Sequence, residues 1–274
     1  MSRIGKEDKP DSNDKSAFNG RLREHVRQID DSSYVRDLKT LESALIVGLN
    51  EGKSEKLRDI RDRLIKLRIE AKTNTKQVIN HSAMVMTVSR HLIAKHYEVA
   101  VEHILEKGPV CDIFACKSGS KKEEAVKDSI IVEIETGFVP PAHALDSNDS
   151  LMARIASKIE RYSPNAEMFV IGTPPHNIVY IPEIFLKPSE KRKKEEISWW
   201  NNLCKKYYDN PPLDFHNSKG HIEKLYVINV DAGYLPSTYG KHPRARTPLV
   251  EELDVGDYMR KYRLVTRFPS WHRF

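Results

Sequence analysis

The sequence predicts an α/β fold in which helices flank a mixed central sheet. Two strand-like runs, near 110–115 and 129–136, follow a long segment whose apolar residues recur at helical spacing. A second helical pattern, at about 150–162, precedes the buried strand-like segment EMFVIGT at 167–173. The order helix, strand, strand, helix, strand is typical of a mixed sheet. The sequence contains neither a GxGxxG nor a GxxxxGKS/T motif, so it does not indicate a Rossmann or P-loop nucleotide site.

The segment before the sheet predicts a disordered arm and two helices. Residues 1–20 are polar and charged, which favours disorder. Apolar residues then recur at helical spacing over 34–49 and 57–67, and Gly52 is the predicted stop signal of the first helix. We interpret 21–76 as a helical hairpin. Its face rich in Arg and Lys is either solvated, beside a packing or dimerisation surface, or in contact with DNA.

Further elements are predicted on both sides of the strand pair. One apolar stripe predicts a third helix over 78–107. After EMFVIGT, the sequence predicts a short strand at 177–181, a charged helix over 189–208 and another strand at 224–230. We therefore predict that residues 77–233 form an α/β domain and that residues 234–274 form an irregular C-terminal tail.

Composition and charge narrow the class of protein. With 39% hydrophobic and 31% charged residues, the chain is typical of a globular protein with a real core. It has no apolar stretch long enough to cross a bilayer and no apolar signal-peptide core, so we expect a cytoplasmic protein without membrane contact. Three cysteines without CxxC spacing argue against a disulfide framework or a zinc site. The net charge of +6 favours a polyanionic partner.

Three carboxylates lie in the two neighbouring strand-like runs. Asp112 occupies the first run, and Glu133 and Glu135 occupy the second. Because strand side chains alternate between faces, the two glutamates share one face, and the Ile and Val residues at the even-numbered positions 130–134 share the other. Charged groups on an apolar strand are costly to bury unless they bind something positive. Oxygen ligands of this kind suit a hard cation, Mg²⁺ or Mn²⁺.

The order of these residues resembles the PD-(D/E)xK nuclease superfamily, which has the restriction-endonuclease-like fold. Glu98 lies on a predicted helix, Asp112 on a strand, Glu133 and Glu135 on the next strand, and Lys158 on the following helix. The resemblance covers about a third of the chain. It implies a restriction-endonuclease-like mixed sheet and a metal-dependent deoxyribonuclease that hydrolyses phosphodiester bonds. Because this family often cuts two strands with two sites, it also implies a homodimer.

The resemblance implies a role for each carboxylate of the strand pair. Asp112 would bind the metal together with Glu133, the second acid of the motif. Glu135 stands where the family usually has lysine, so the sequence departs from the pattern there. Glu135 would then bind a second metal or help to position the attacking water.

The resemblance also implies a lysine and a supporting glutamate outside that pair. Some family members carry the lysine on the helix after the second strand, and Lys158 is the candidate for it. Arg154 and Arg161 are alternatives on the same helical face. Glu98 suits the supporting glutamate of the preceding helix, with Glu102 as its competitor.

Other interpretations remain open at the level of the sequence. Glu135 in place of lysine favours a catalytically degenerate protein of the same fold, acting as a nucleic-acid-binding or assembly module, whereas the three retained acids favour the enzyme. RNA is not excluded as substrate, because nothing in the sequence indicates recognition of the 2′-hydroxyl. The basic run at 190–194 either is solvated or follows a phosphate backbone. Four histidines lack metal-ligand spacing and are interpreted as helical surface residues: His81, His91, His96 and His103.

Overall fold

The computed structural model describes residues 31–70, 79–106, 108–117, 128–208, 213, 215, 218–233 and 248–262. Within these residues, six strands form one mixed sheet, and helices cover both of its faces. The α/β class predicted from the sequence is therefore confirmed. The predicted arm at 1–20 lies outside the described residues.

The regular elements alternate between helices and strands after an all-helical start. The helices are α1 (31–45), α2 (Glu51–Glu70), α3 (Ile79–Ala94), α4 (Ser147–Tyr162), α5 (Lys194–Tyr207) and α6 (Val255–Lys261). The strands are β1 (Tyr97–Ile104), β2 (Val110–Lys117), β3 (Ser129–Ile134), β4 (Met168–Thr173), β5 (Lys224–Ile228) and β6 (Val250–Asp254).

The sheet combines antiparallel outer parts with a parallel centre. The strands lie side by side in sequence order. β1, β2 and β3 form an antiparallel meander, β4 and β5 run parallel to β3, and β6 is antiparallel to β5. Consequently, the carboxyl ends of β3, β4 and β5 meet at one edge of the sheet. This is the edge at which open α/β sheets commonly bind ligands.

Each face of the sheet buries its own apolar core. Helices α1, α2 and α3 pack on one face, where Leu64 and Leu92 lie in the same cluster as Val132 of β3. Helices α4, α5 and α6 pack on the other face, around Phe169 and Ile159. Each fully buried side chain of this size contributes about 1.5–3 kcal/mol to folding. The two helices of the predicted hairpin therefore share a core with α3 and the sheet.

The predicted helix over 78–107 was wrong in its second half. α3 ends at Ala94, and β1 begins at Tyr97 after a turn in which His96 has a φ of 68°. The β-branched residues Val99 and Val101 alternate with less apolar ones and pair with β2, which supplies the hydrogen bonds that a helix would otherwise provide. The spacing of the apolar residues fits a helix as well as a strand, and pairing with β2 makes this segment a strand.

Three further predictions of local structure were wrong. Gly52 lies in the first turn of α2, and Gly48, with a φ of 81°, lies in the turn that ends α1. The segment 177–181 is irregular rather than a strand. The predicted irregular tail at 234–274 contains β6 and α6. β6, VEELD, has weak strand propensity, and it forms because β5 offers it a full row of backbone partners.

An ion-pair cluster joins α3 to β6. His91 Nε2 lies 2.6 Å from Glu252 Oε1, Lys95 binds the same carboxylate, and Lys224 Nζ lies 3.7 Å from Oε2. The hydrogen bond from His91, together with the charge of Lys95, lowers the pKa of Glu252 from 4.5 to about 2. The ionised carboxylate is therefore more favourable in the folded chain than in the unfolded chain.

We expect Glu252→Gln to lower the free energy of unfolding by about 1–3 kcal/mol at pH 7. A depressed carboxyl pKa contributes stability above the unfolded pKa of 4.5, and this contribution is lost as the pH falls toward about 2. The difference between wild type and variant should therefore narrow below pH 4.5. Urea denaturation at a series of pH values measures it.

The neighbouring Glu251 provides a matched control. Its ion pair with Lys261 is largely exposed, so we expect Glu251→Gln to change the stability by less than about 1 kcal/mol. Two results would contradict a role for the ion-pair cluster: an equal loss of stability in both variants, or a stability difference between Glu252→Gln and the wild type that does not narrow below pH 4.5.

Candidate metal centre

The candidate metal centre lies where the backbone hydrogen bonds between β2 and β3 end. There the carboxylates of Asp112 and Glu133 accept hydrogen bonds from the backbone instead. The regular register ends at the pair Ile113 and Val132. Beyond it, the backbone N–H of Asp112 donates to Glu133 Oε1 at 3.0 Å, and the N–H of Ile134 donates to Asp112 Oδ2 at 2.7 Å. The two strands separate there, and both carboxylates are held by backbone donors.

The adjacent strand is distorted at the corresponding position. Pairs on either side of it, Val101 with Ile113 and His103 with Cys111, leave Glu102 directly opposite Asp112. Glu102 has a φ of 47°, a left-handed conformation that a residue with a side chain adopts only when its surroundings enforce it. The distortion brings the carboxylate of Glu102 toward that of Asp112.

Helix α3 contributes a third group to the same place. His81 Nε2 lies 3.2 Å from Asp112 Oδ1. One ligand atom each from His81, Glu102 and Asp112 lie within 4.8 Å of one another. Burial alone would lower the pKa of His81, but the hydrogen bond with Asp112 and its negative charge raise the pKa above its ordinary value.

Lys158, on α4, contacts the centre from the other face of the sheet. Its Nζ lies 3.3 Å from Glu133 Oε2 and 3.9 Å from Asp112 Oδ2, and it donates a hydrogen bond of 2.6 Å to the carbonyl of Ile134. β3 and β4 are parallel neighbours, so the helix that connects them crosses this face, and Lys158 lies on the turn that passes Glu133. A lysine 24 residues away along the chain from Ile134 therefore reaches both acids.

The three charged groups alter one another's pKa values in opposite directions. Burial and the negative charge of Asp112 raise the pKa of Glu133 to about 8. Burial would also raise the pKa of Asp112, but Lys158 and His81 together hold it below its ordinary value. Burial would lower the pKa of Lys158, but the charges of Glu133 and Asp112 raise it well above its usual range. Near neutral pH, Asp112 is ionised and Lys158 is protonated.

Glu135 lies beside the centre but has its own partners. As predicted, it lies on the same face of the sheet as Glu133, and both are buried. Its Oε2 lies 3.3 Å from Arg154 Nε, and its Oε1 accepts a hydrogen bond of 2.8 Å from the N–H of Gly137. The carboxylate that stands in the expected lysine position is thus neutralised by an arginine of α4.

Gly137 has a backbone conformation that fixes this arrangement. Its φ is 76°, and an added Cβ would lie 2.6 Å from Asn177 Oδ1. The amide of Asn177 is itself held by Thr173 Oγ1 at 2.9 Å and by the carbonyl of Glu135 at 3.3 Å. A methyl group at Gly137 would therefore break two hydrogen bonds as well as strain the backbone.

We expect Gly137→Ala to lower the free energy of unfolding by about 2–4 kcal/mol, from backbone strain and the displaced amide. Gly48→Ala is the matched control, because Gly48 has a φ of 81° but no atom within 4 Å of an added Cβ. The control should lose only about 1–2 kcal/mol. Denaturation of both variants measures the difference. Equal losses would contradict the contact between Gly137 and Asn177.

The structure brings together only part of the predicted set. Asp112, Glu133 and Lys158 are in mutual contact. The prediction that Glu98 lies on a helix was wrong, because Glu98 is on β1. Its carboxylate lies 2.6 Å from Lys56 Nζ in a half-exposed ion pair, four residues or about 13 Å along the strand from Glu102. Its competitor Glu102 is the glutamate that lies at the centre.

The remaining candidates have other environments. Arg154 binds Glu135, and the guanidinium of Arg161 lies 5.5 Å from the ring centre of Tyr208. Among the histidines, His81 was wrongly interpreted as a surface residue. His103 lies on β1, with its ring stacked on Phe114.

The donor set fits a divalent cation. Carboxylate oxygens suit Mg²⁺ and Mn²⁺, and an imidazole nitrogen is a common ligand of first-row transition metals. The second ring nitrogen of His81, Nδ1, is buried and has no hydrogen-bond partner among the described residues. Such unpartnered buried nitrogens are uncommon in folded proteins, and a bound cation is one way to satisfy the ring. His81, Glu102 and Asp112 are therefore the residues that could hold a metal.

In comparisons with known proteins, no family model, no curated protein and no solved structure matches this chain. Among the helices of the described residues, none has the length and apolar character needed to cross a membrane. The case for a function therefore depends on the chemistry of the centre itself.

Proposed function

We propose that this protein is a metal-dependent nuclease that hydrolyses phosphodiester bonds in DNA. The observation that supports this most directly is the contact among Asp112 of β2, Glu133 of β3 and Lys158 of α4. These residues occur in the order, and on the types of element, on which the resemblance to the PD-(D/E)xK superfamily depends. The restriction-endonuclease-like form of the α/β fold is part of this proposal.

The metal would be held by Asp112 with Glu102 and His81, and Glu133 would lie beside it. A bound Mg²⁺ or Mn²⁺ polarises a phosphoryl oxygen and lowers the pKa of bound water. Asp112 suits the first position because it stays ionised near neutral pH. Its orientation does not depend on the metal, since the N–H of Ile134 already binds Oδ2.

Lys158 and Glu133 would divide the proton chemistry. Lys158 remains protonated, so it acts as a donor to the negative charge that grows on the phosphate rather than as a base. Glu133 lies beside Asp112 and Lys158, where its ionised carboxylate would accept a proton from the attacking water. The side chains thus supply one fixed positive charge and one proton acceptor in contact with each other.

A second candidate is a nucleic-acid-binding or assembly module of the same fold without catalysis. One observation favours it: the position expected for lysine is taken by Glu135, and Arg154 neutralises that carboxylate. In this case Lys158 would serve only to compensate buried acids. The nuclease and the nucleic-acid-binding form of the module both expect a nucleic-acid partner, in keeping with the net charge of +6.

A cleavage assay separates the two candidates. The purified protein would be incubated with single-stranded, duplex and branched DNA, and with RNA, in Mg²⁺, in Mn²⁺ and in EDTA. The nuclease predicts DNA fragments that appear only with metal. Intact substrates in every metal, with binding retained in a gel-shift assay, would overturn the nuclease and favour the module. RNA fragments alone would overturn DNA as the substrate.

A further inference from the structure

A cavity of about 560 Å³ lies at the edge where the parallel strands end. Its walls come from the segments that follow β3, β4 and β5, represented by Thr136, His176 and Asn229, and from the first turns of α3, represented by Asn80 and Met84. The volume lies in the range of small-molecule sites, and the position is the usual one for ligands of open α/β sheets.

The described lining is apolar at the floor and polar at the rim. Met84 and Ile228 are buried, whereas Asn80 and Asp231 are exposed. The described lining contains no Lys or Arg, and Asp231 carries a negative charge. The lining therefore offers no lysine or arginine to offset a phosphate, and an uncharged, flat or apolar group fits it better. The amides of Asn80 and Asn229 each offer a donor and an acceptor, the pattern that complements the edge of a nucleobase.

The cavity and the candidate metal centre lie on adjoining segments of the chain. Asn80 lines the cavity, and the next residue of α3, His81, contacts Asp112. Thr136 lines the cavity, and it follows Glu135 directly in the chain. One nucleic-acid strand could therefore place a phosphate at the centre and an uncharged group in the cavity.

We propose that this cavity binds an unpaired nucleobase of the DNA strand whose phosphate is at the metal centre. This inference rests on the proposed nuclease function and specifies its substrate. A base inside a protein cavity cannot remain paired in a duplex, so the substrate is single-stranded or locally unpaired DNA. Intact duplex would be bound more weakly because a base pair must first be opened.

The test uses uncharged 2′-deoxynucleosides as probes, in EDTA, so that neither metal nor cleavage is involved. Saturation-transfer NMR with the full chain should detect binding, with dissociation constants on the order of 1 mM. Asn80→Ala should weaken binding about fivefold, the effect of one lost hydrogen bond. Ala83→Phe, which fills the cavity, should abolish it, with circular dichroism as a check on folding.

Asn148→Ala is the matched control, because Asn148 is an exposed residue in the first turn of α4 and lines a different cavity. It should bind the nucleosides as the wild type does. Absence of nucleoside binding by the wild type, or equal weakening in Asn80→Ala and Asn148→Ala, would overturn the inference. Either result is compatible with metal-dependent cleavage. The proposal for the cavity and the proposal of a nuclease can therefore fail independently of each other.

Discussion

Asp112→Asn is expected to reduce metal-dependent cleavage at least about 1,000-fold while the protein remains folded. The substitution removes the negative charge that would hold the cation, and this charge is worth several kcal/mol in the transition state. It preserves the shape of the side chain. The amide oxygen can still accept the hydrogen bond from the N–H of Ile134 that Asp112 Oδ2 accepts now.

The measurement is the single-turnover cleavage rate in Mn²⁺, together with manganese affinity by calorimetry. Both should fall in Asp112→Asn. Glu102→Gln should also weaken metal binding, whereas Glu98→Gln should leave the rate and the affinity unchanged, because Glu98 pairs with Lys56 away from the centre. Unchanged metal affinity in Asp112→Asn, or a larger effect at Glu98 than at Glu102, would contradict the assignment.

Lys158→Met is expected to lower the cleavage rate about 100- to 1,000-fold, the effect of removing one preorganised donor to a developing charge. It should also lower the free energy of unfolding by about 1–3 kcal/mol, since a hydrogen bond to Ile134 and the compensation of Glu133 are lost. Because its pKa is raised to about 8, Glu133 is already largely protonated at neutral pH, which limits the loss there. Above about pH 8, Glu133 of the wild type ionises beside Lys158, whereas in the variant no positive charge compensates it. The loss of stability should therefore grow as the pH rises above about 8.

Lys158→Arg is the control for this prediction. It keeps a positive charge beside Glu133, so its stability should stay within about 1 kcal/mol of the wild type, while its rate falls less than that of Lys158→Met. A Lys158→Met variant that is destabilised but cleaves at the rate of the wild type would show that the lysine only compensates buried acids. That outcome would favour the binding module.

The central part of the site could be predicted from sequence because its signals are local. Glu133 and Glu135 interrupt a short apolar run, and the alternation of a strand determines that they share a face. Lys158 could be proposed because the family resemblance implies a lysine on the helix after the second strand. In the structure that helix connects the parallel strands β3 and β4 and brings Lys158 to Glu133.

His81 and Glu102 could not be predicted, because they depend on contacts between elements distant in sequence. His81 reaches Asp112 only through the packing of α3 on the sheet, and its own neighbours in the sequence carry no sign of this. Glu102 lies on a segment whose apolar spacing fits a helix as well as a strand. Its left-handed backbone conformation, which directs the carboxylate, depends on pairing with β2.

The irregular-tail prediction failed for a related reason. β6 has a charged sequence with little strand propensity, and it is ordered by β5 and by the ion pairs of Glu252 with α3. When neighbouring elements stabilise a strand, the sequence of that strand need not show a periodic apolar pattern.

Anomalous diffraction from a crystal soaked in Mn²⁺ shows directly whether Asp112 holds a metal ion. We expect an ion bound to a carboxylate oxygen of Asp112, with His81 or Glu102 as a further ligand and Lys158 still in contact with Glu133. A crystal with no ion at Asp112, or with manganese bound only elsewhere on the molecule, would contradict it.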